Sequence, residues 1–246
     1  MRHQKLKNAA EFENTRDDVF ERIASRYDLL CDLFSLGIHR IWKRRVSDLV
    51  SEEPWDNLLD VASGTGDIVL KLLQKKKLLS NQKVIVSDIC RKMLSIAERK
   101  IDDYRENIRF ERINAHSINE IDSSSIDVYS ISLGLKICDR EKAMQEAFRV
   151  LKPGGRFVSL EASNIPFNWL HNLYLFYMAL CMPFIGWVAT GGDSSAYKYL
   201  LHGVRDFPSA EDLKTEIESI GFEKVKYERL SLGIVAIHIA VKPECA

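Results

Sequence analysis

Leu58-Leu59-Asp60-Val61-Ala62-Ser63-Gly64-Thr65-Gly66-Asp67 is the stretch that decides the fold. A short apolar run enters it and two glycines follow. That pattern predicts a buried parallel strand over residues 58–62, a tight turn, and a helix from Asp67 to about residue 77. Glycine keeps such a turn tight and lets backbone approach a ligand closely. Outward from this point the same unit recurs. Residues 84–86 read as a strand ending at Ser87-Asp88, with a helix over 91–101 behind it. Residues 108–113 and 126–133 read as strands, and 140–151 as a helix. Lys152-Pro153-Gly154-Gly155 reads as a sharp turn into a fifth strand over 157–160. Strands alternating with helices of this length predict a parallel, doubly wound sheet. Residues 222–230 and 234–241, joined through Ser231 and Gly233, predict a closing antiparallel hairpin. Before the first strand, residues 12–50 read as helical, with a break at Ser35-Leu36-Gly37-Ile38.

Length and composition set the frame. A chain of 246 residues with 46% apolar and 28% charged residues suits one α/β domain with a full core. Lysine plus arginine equals aspartate plus glutamate, 35 each, so the broad basic footprint of a nucleic-acid binder is missing. The five cysteines are scattered and form no CxxC pair. Neither a disulfide framework nor a metal site is expected from them. Residues 1–20 are charged and lack an apolar core, which argues against a signal peptide and for a cytoplasmic protein. Residues 169–189 contain no Asp, Glu, Lys or Arg and are about long enough to span a bilayer. They also hold His171, Asn172 and Pro183, so a buried helix or the wall of a greasy pocket is the expectation.

Four features carry chemistry. The glycine turn lacks the third glycine of the dinucleotide pattern, because Val69 fills its place. A dinucleotide would set its pyrophosphate on the helix N-terminus. S-adenosylmethionine would instead lay its amino acid part over the turn, where Asp60 and Asp67 suit an ammonium and a sulfonium. Asp88 stands 22 residues beyond Gly66 (88 − 66), at a strand end, where a carboxylate can accept both ribose hydroxyls. Its alternative is an N-cap for the next helix. Asn114-Ala115-His116 follows the third strand and can read an adenine edge, or simply turn the chain. Ser130-Ile131-Ser132-Leu133-Gly134-Leu135-Lys136 ends the fourth strand. Ligands of open α/β sheets sit outside carboxyl ends of strands, so all four features converge on one crevice. The missing glycine and the closing hairpin count against a nicotinamide-dependent oxidoreductase.

Several further stretches match a known family. They are Arg26-Tyr27-Asp28, Ser35-Leu36-Gly37-Ile38-His39-Arg40-Ile41-Trp42-Lys43, the glycine turn, Phe148-Arg149-Val150-Leu151-Lys152-Pro153-Gly154-Gly155-Arg156, and Gly233-Ile234-Val235-Ala236-Ile237-His238. With these, the chain from about 12 to 241 resembles the ubiquinone/menaquinone biosynthesis C-methyltransferases. The resemblance implies a Rossmann-like class I methyltransferase, with a mostly parallel seven-stranded sheet and an antiparallel C-terminal hairpin. It divides the single domain into a helical cap (1–54), a core binding S-adenosylmethionine (55–162) and a substrate-side part (163–246). It implies that Thr65, Asp88, Asn114, Ala115 and Ser132 contact the methyl donor, joined in the expected site by Asp60, Gly64 and Gly66. The implied reaction methylates a ring carbon of a polyprenylated quinol. Demethylmenaquinol and a ubiquinone precursor are the two substrates in view. A homodimer and peripheral contact with the inner face of the membrane are compatible with it.

The sequence also departs from the family. Lys136-Ile137 stands where the family has Arg-Asn, His116 where an acid is common, and Ala162 where Phe usually follows the glutamate. A lysine keeps the charge of the arginine but loses its bidentate fork. Lys136, Tyr27 and His39 are the expected catalytic residues, with Tyr197 and Arg205 further candidates on the substrate side. For Tyr27 and His39 a packing role is the alternative. Two other functions stay open: methylation of another small molecule, and a non-catalytic subunit of a quinone-synthesis complex that binds S-adenosylmethionine.

Overall fold

The computed structural model describes residues 20–75, 77–190 and 205–245. Its centre is β1 (Asn57–Val61), which pairs in parallel with β2 (Lys83–Ser87) on one side and β4 (Ile126–Ser132) on the other. β3 (Ile108–Glu111) extends the sheet beyond β2, and β5 (Leu151–Ala162) lies beside β4. β7 (Val235–Val241) runs antiparallel to β5, and β6 (Glu223–Leu230) closes the far edge. The order is β3-β2-β1-β4-β5-β7-β6. The mostly parallel seven-stranded sheet with an antiparallel hairpin is therefore as expected. Strand order reverses between β1 and β4, which opens a crevice beyond their carboxyl ends.

Successive strand residues point to opposite faces, and here both faces are covered. Leu58, Val84 and Val128 pack on one side against Val46 of α2 (His39–Ser51), Val69 and Leu72 of α3 (Asp67–Lys75), and Ala97 of α4 (Arg91–Ile101). Leu59, Tyr129 and Phe157 pack on the other against Met144 of α5 (Arg140–Val150) and Leu213 of α7 (Ala210–Ile220). Double burial is why the strands read as unbroken apolar runs. Two further helices cover the crevice end, α1 (Tyr27–Ser35) and α6 (Asn168–Thr190). The break expected at 35–38 is present: Leu36 caps α1 in the left-handed region, with φ 50°.

Two expectations are corrected. Residues 152–155 do not form a turn between elements; they lie within β5. Ile126 pairs with Leu151 and Val128 with Arg156, so the segment between bulges out of the β4 ladder. β7 side holds it: Gly154 N–H donates to Lys242 O, and Lys242 N–H to Gly155 O, each at 2.9 Å. The chain never reverses, because the neighbouring strand satisfies the backbone that the bulge frees. Second, of the two readings of residues 169–189, α6 is a cavity wall and not a buried helix. Trp169, Leu173, Phe176 and Leu180 are exposed, Phe176 by 67%, while Tyr174 and Met178 turn inward. Among the described residues no helix is long and apolar enough to cross a membrane.

Candidate active site

Beyond Val61 the chain turns through three left-handed positions: Ala62 (φ 50°), Gly64 (φ 58°) and Gly66 (φ 76°). Ala62 is unusual there, since a Cβ disfavours that region. Asp88, at the end of β2, ties the turn down. One carboxylate oxygen accepts from Gly64 N–H and the other from Cys90 N–H, both at 2.8 Å. Asp88 is not the N-cap of the alternative reading, since Cys90 holds that place without a side-chain bond; Asp88 braces the residue just before α4. A carboxylate oxygen has two acceptor sites, so a bonded one can still receive a ligand hydroxyl.

A cleft of about 750 Å³ opens over this turn. Gly64, Asp88, Asn114, Ala115 and Ser132 all line it. They come from the carboxyl ends of β1 to β4, as the convergence argument required. Ile89, Met93 and Ile113 add an apolar slot. The Ser132 hydroxyl is buried without a hydrogen-bond partner among the described residues. Buried hydroxyls rarely stay unpaired, so this one marks a place for a polar ligand group. Asn114 also turns the chain, its Oδ1 accepting His116 N–H at 3.0 Å. An acid for a diol, a flat apolar slot and a lone hydroxyl together fit S-adenosylmethionine.

Three expected cofactor residues do not line the cleft. Asp60 lies beneath it, 1% exposed, and accepts from the Ser130 hydroxyl. Burial pushes its carboxyl up to about 6, against the hydrogen bonds from Ser130 and Ser63. Thr65 turns its hydroxyl to Asp28 at 2.6 Å and accepts from Lys100 at 3.0 Å. At Gly66, a Cβ would stand 2.9 Å from Cβ of Ala97, so this glycine serves the packing of the turn on α4. Asp67 is not aimed at a ligand cation either. Lys43 of α2 and Lys100 of α4 reach its two oxygens at 2.7 and 2.9 Å. Burial would raise the Asp67 carboxyl, but these two ammonium groups outweigh it and hold it below the usual carboxylate range. Lys100 also pairs with Asp28, so this network fastens the cap to the glycine turn.

A second cavity, of about 1270 Å³, lies between α1, α2 and α6. Its wall is mostly apolar, with Leu30, Phe34, Trp42, Tyr174 and Met178 among its members. Tyr27, Leu133 and Lys136 line both cavities, so the two meet at these three residues. Tyr27 lies at this junction. Its neighbour Cys31, then burial, holds its phenol well above the usual range, so it stays protonated. Lys136 Nζ donates to Leu133 O. Burial draws its ammonium down, while Glu161 and the thiols of Cys31 and Cys138 oppose the shift. His39 lines the second cavity, with Nδ1 2.8 Å from Ser35 Oγ. Burial, then Lys43, lowers its pKa to about 4, so the ring is neutral at physiological pH. Arg205 is exposed and lines neither cavity, and Tyr197 lies outside the described residues.

Sequence reasoning gave Glu161 no role. It is fully buried at the end of β5, and burial pushes its carboxyl up to about 7. Its signal was present: one acid in the run Val158-Ser159-Leu160-Glu161-Ala162 must be held by something. Lys43 and Lys100 had no such signal, since helix lysines usually face solvent.

Comparison with known proteins bears on the same residues. The chain is 43% identical over 232 residues to the ubiquinone/menaquinone biosynthesis C-methyltransferase UbiE of Rickettsia prowazekii, covering 92% of each chain. It is 41% identical over 242 residues to the protein of that name from Rickettsia bellii, covering 95% of each. Among solved structures, a possible histamine N-methyltransferase from Thermotoga maritima matches with a TM-score of 0.64 at 17% identity. That match covers 92% of this chain and 98% of the other, and it speaks for the fold alone. A model of the ubiE/COQ5 methyltransferase family matches residues 7–242, which takes in the glycine turn, both cavities and the closing hairpin. The chain belongs to the ubiE/COQ5 methyltransferase family.

Proposed function

We propose that this protein methylates a ring carbon of a polyprenylated quinol, with demethylmenaquinol and a ubiquinone precursor as the acceptors. The observation that carries the reading is the meeting of a cleft lined by Asp88, Asn114 and Ser132 with a large apolar cavity at Tyr27, Leu133 and Lys136. The name of its relatives supports the same acceptor class. Gly64, Asp88, Asn114, Ala115 and Ser132 would hold S-adenosylmethionine. Bound there, it supplies a methyl group on a cationic sulfur, the electrophile that an electron-rich ring carbon needs.

The chain's own residues do the rest. α1 and α6 wall off water and align the ring at the junction, which removes much of the entropic cost of reaction. Ionising a ring hydroxyl makes the adjacent carbon nucleophilic. The Lys136 ammonium at the junction stabilises that phenolate, in the manner of other groups placed where charge develops. Tyr27, kept protonated, can donate a hydrogen bond to the same oxygen. One proton leaves overall, since the ring carbon exchanges its hydrogen for methyl. If the apolar cavity holds the prenyl tail, a tailless quinol should show a KM higher by at least about tenfold. Measured KM values across tail lengths test this. Equal values for long and tailless quinols would contradict the assignment of the cavity.

The same elements support contact with the bilayer, where such quinols reside. α1 and α6 line the cavity with their inner sides and expose Leu29, Leu33, Leu173 and Phe176 outward. Leu36 stands at the mouth, and the exposed Leu232 sits on the nearby Ser231–Gly233 turn. Scattered apolar residues are ordinary, but a cluster around one opening is not. Vesicle flotation of the double variant Leu173→Ser/Phe176→Ser should show reduced membrane binding with S-adenosylmethionine affinity intact. Unaltered flotation would remove the membrane reading.

A further inference from the structure

Glu161 is a buried acid that lines neither cavity. It is 0% exposed, at the carboxyl end of β5, among apolar neighbours. One oxygen accepts from Leu135 N–H at 2.7 Å. The backbone N–H groups of Gly134 and Lys136 favour its charged form as well. Glu161 thus caps the short 3-10 turn Leu135–Ile137, the turn that carries Lys136 to the junction. The second oxygen has no hydrogen-bond partner among the described residues. That is an expensive arrangement for a group with packing duty alone.

The charge around the turn is equally specific. The groups acting on Lys136 are Glu161 from β5, Cys31 from α1, Cys138 just past the turn and Lys43 from α2. Arg140, at the start of α5, also feels the Glu161 charge, but its guanidinium pairs with Glu216. The Tyr27 phenol lines the same junction. Of the groups acting on Lys136, Glu161 is the one carboxylate.

We propose that Glu161 is a positioning residue for methyl transfer: it fixes the Lys136 turn at the junction and supplies the one carboxyl group that acts on the Lys136 ammonium. The proposal rests on the quinol methyltransferase reading, in which that ammonium faces a phenolate. Burial by itself pulls the Lys136 proton off more easily, and the Glu161 carboxylate counters it. Losing that carboxylate removes the largest of the influences that oppose burial.

The test uses the full chain. Glu161→Gln keeps the shape and an acceptor for Leu135 N–H but removes the charge. Three results are expected. S-adenosylmethionine affinity stays at the wild-type value while kcat falls about 10- to 100-fold. The alkaline limb of the kcat–pH profile moves down by about one pH unit. The substitution costs nothing further in a Lys136→Met background. An unmoved limb, or an equal loss in the Lys136→Met background, overturns the proposal, because packing damage does not depend on Lys136. If Glu161→Gln does not fold, Glu161→Asp serves. It keeps the charge but withdraws from Leu135 N–H, so kcat should fall with the limb in place; wild-type kcat overturns the clamp. Titration of the isotope-labelled Lys136 amine by NMR separates this proposal from the function itself. If no quinol is methylated yet Glu161→Gln lowers the amine titration, the functional reading fails and the positioning role stands. An unshifted titration sinks the positioning role whatever the substrate.

Discussion

Lys136→Ala should lower kcat for quinol methylation by about 10²- to 10³-fold, with S-adenosylmethionine affinity close to wild type. Lys136 stands on a turn where both cavities meet, and its Nζ donates to the carbonyl of Leu133, which lines both as well. Removing the side chain leaves the residues that line the donor cleft from β1 to β3 in place. It removes the cation facing the developing phenolate, an interaction stronger in the transition state than in the ground state. Such a change appears in kcat and leaves binding terms alone. Lys136→Arg, which restores the residue usual in the family, should retain most of the activity. Steady-state kinetics beside donor titration by calorimetry measures both. Unchanged turnover in the alanine variant would take Lys136 out of the reaction.

Asp88→Asn should weaken S-adenosylmethionine binding by about 1.5–3 kcal/mol, roughly 10- to 150-fold in Kd, and lower the melting temperature as well, because one backbone N–H loses its acceptor. The carboxylate has two duties. It accepts Gly64 N–H and Cys90 N–H, and it lines the cleft where a ribose diol would lie. Asparagine keeps one acceptor for the backbone but loses the charge that strengthens hydrogen bonds to a ligand. Calorimetric Kd and a melting curve, taken together, separate the duties. A lowered melting temperature with unchanged Kd would assign Asp88 to bracing the turn alone.

Much of this was legible because each strand–helix unit carries its own local signal. Residues 58–67 show a strand, a turn and a helix start within ten positions, and β1, β2 and β4 follow the same grammar. The cleft was legible for a topological reason, since strand ends in such a sheet converge wherever the order reverses. What sequence could not show were pairings across long separations. Asp67 reads as an open acid beside a ligand loop, yet Lys43 and Lys100, 24 residues before it and 33 after, consume it. Gly66 reads as a ligand glycine, yet its constraint comes from Ala97 on another helix. Lys152-Pro153-Gly154-Gly155 reads as a turn, because the backbone that holds the bulge, at Lys242 just past β7, lies far along the chain. The exposed side of α6 was hidden for a different reason. A helix apolar all round gives no periodicity from which to tell cavity wall from surface.

The central claim is that a methyl group crosses from the polar cleft to a ring held in the apolar cavity. Its most direct measurement is transfer from methyl-labelled S-adenosylmethionine to reduced short-chain demethylmenaquinol or ubiquinone precursor, with the product read by mass. The account expects a quinol heavier by one labelled methyl group on a ring carbon, formed at a rate that Lys136→Ala suppresses. Tight binding of S-adenosylmethionine with no label on either quinol would contradict it.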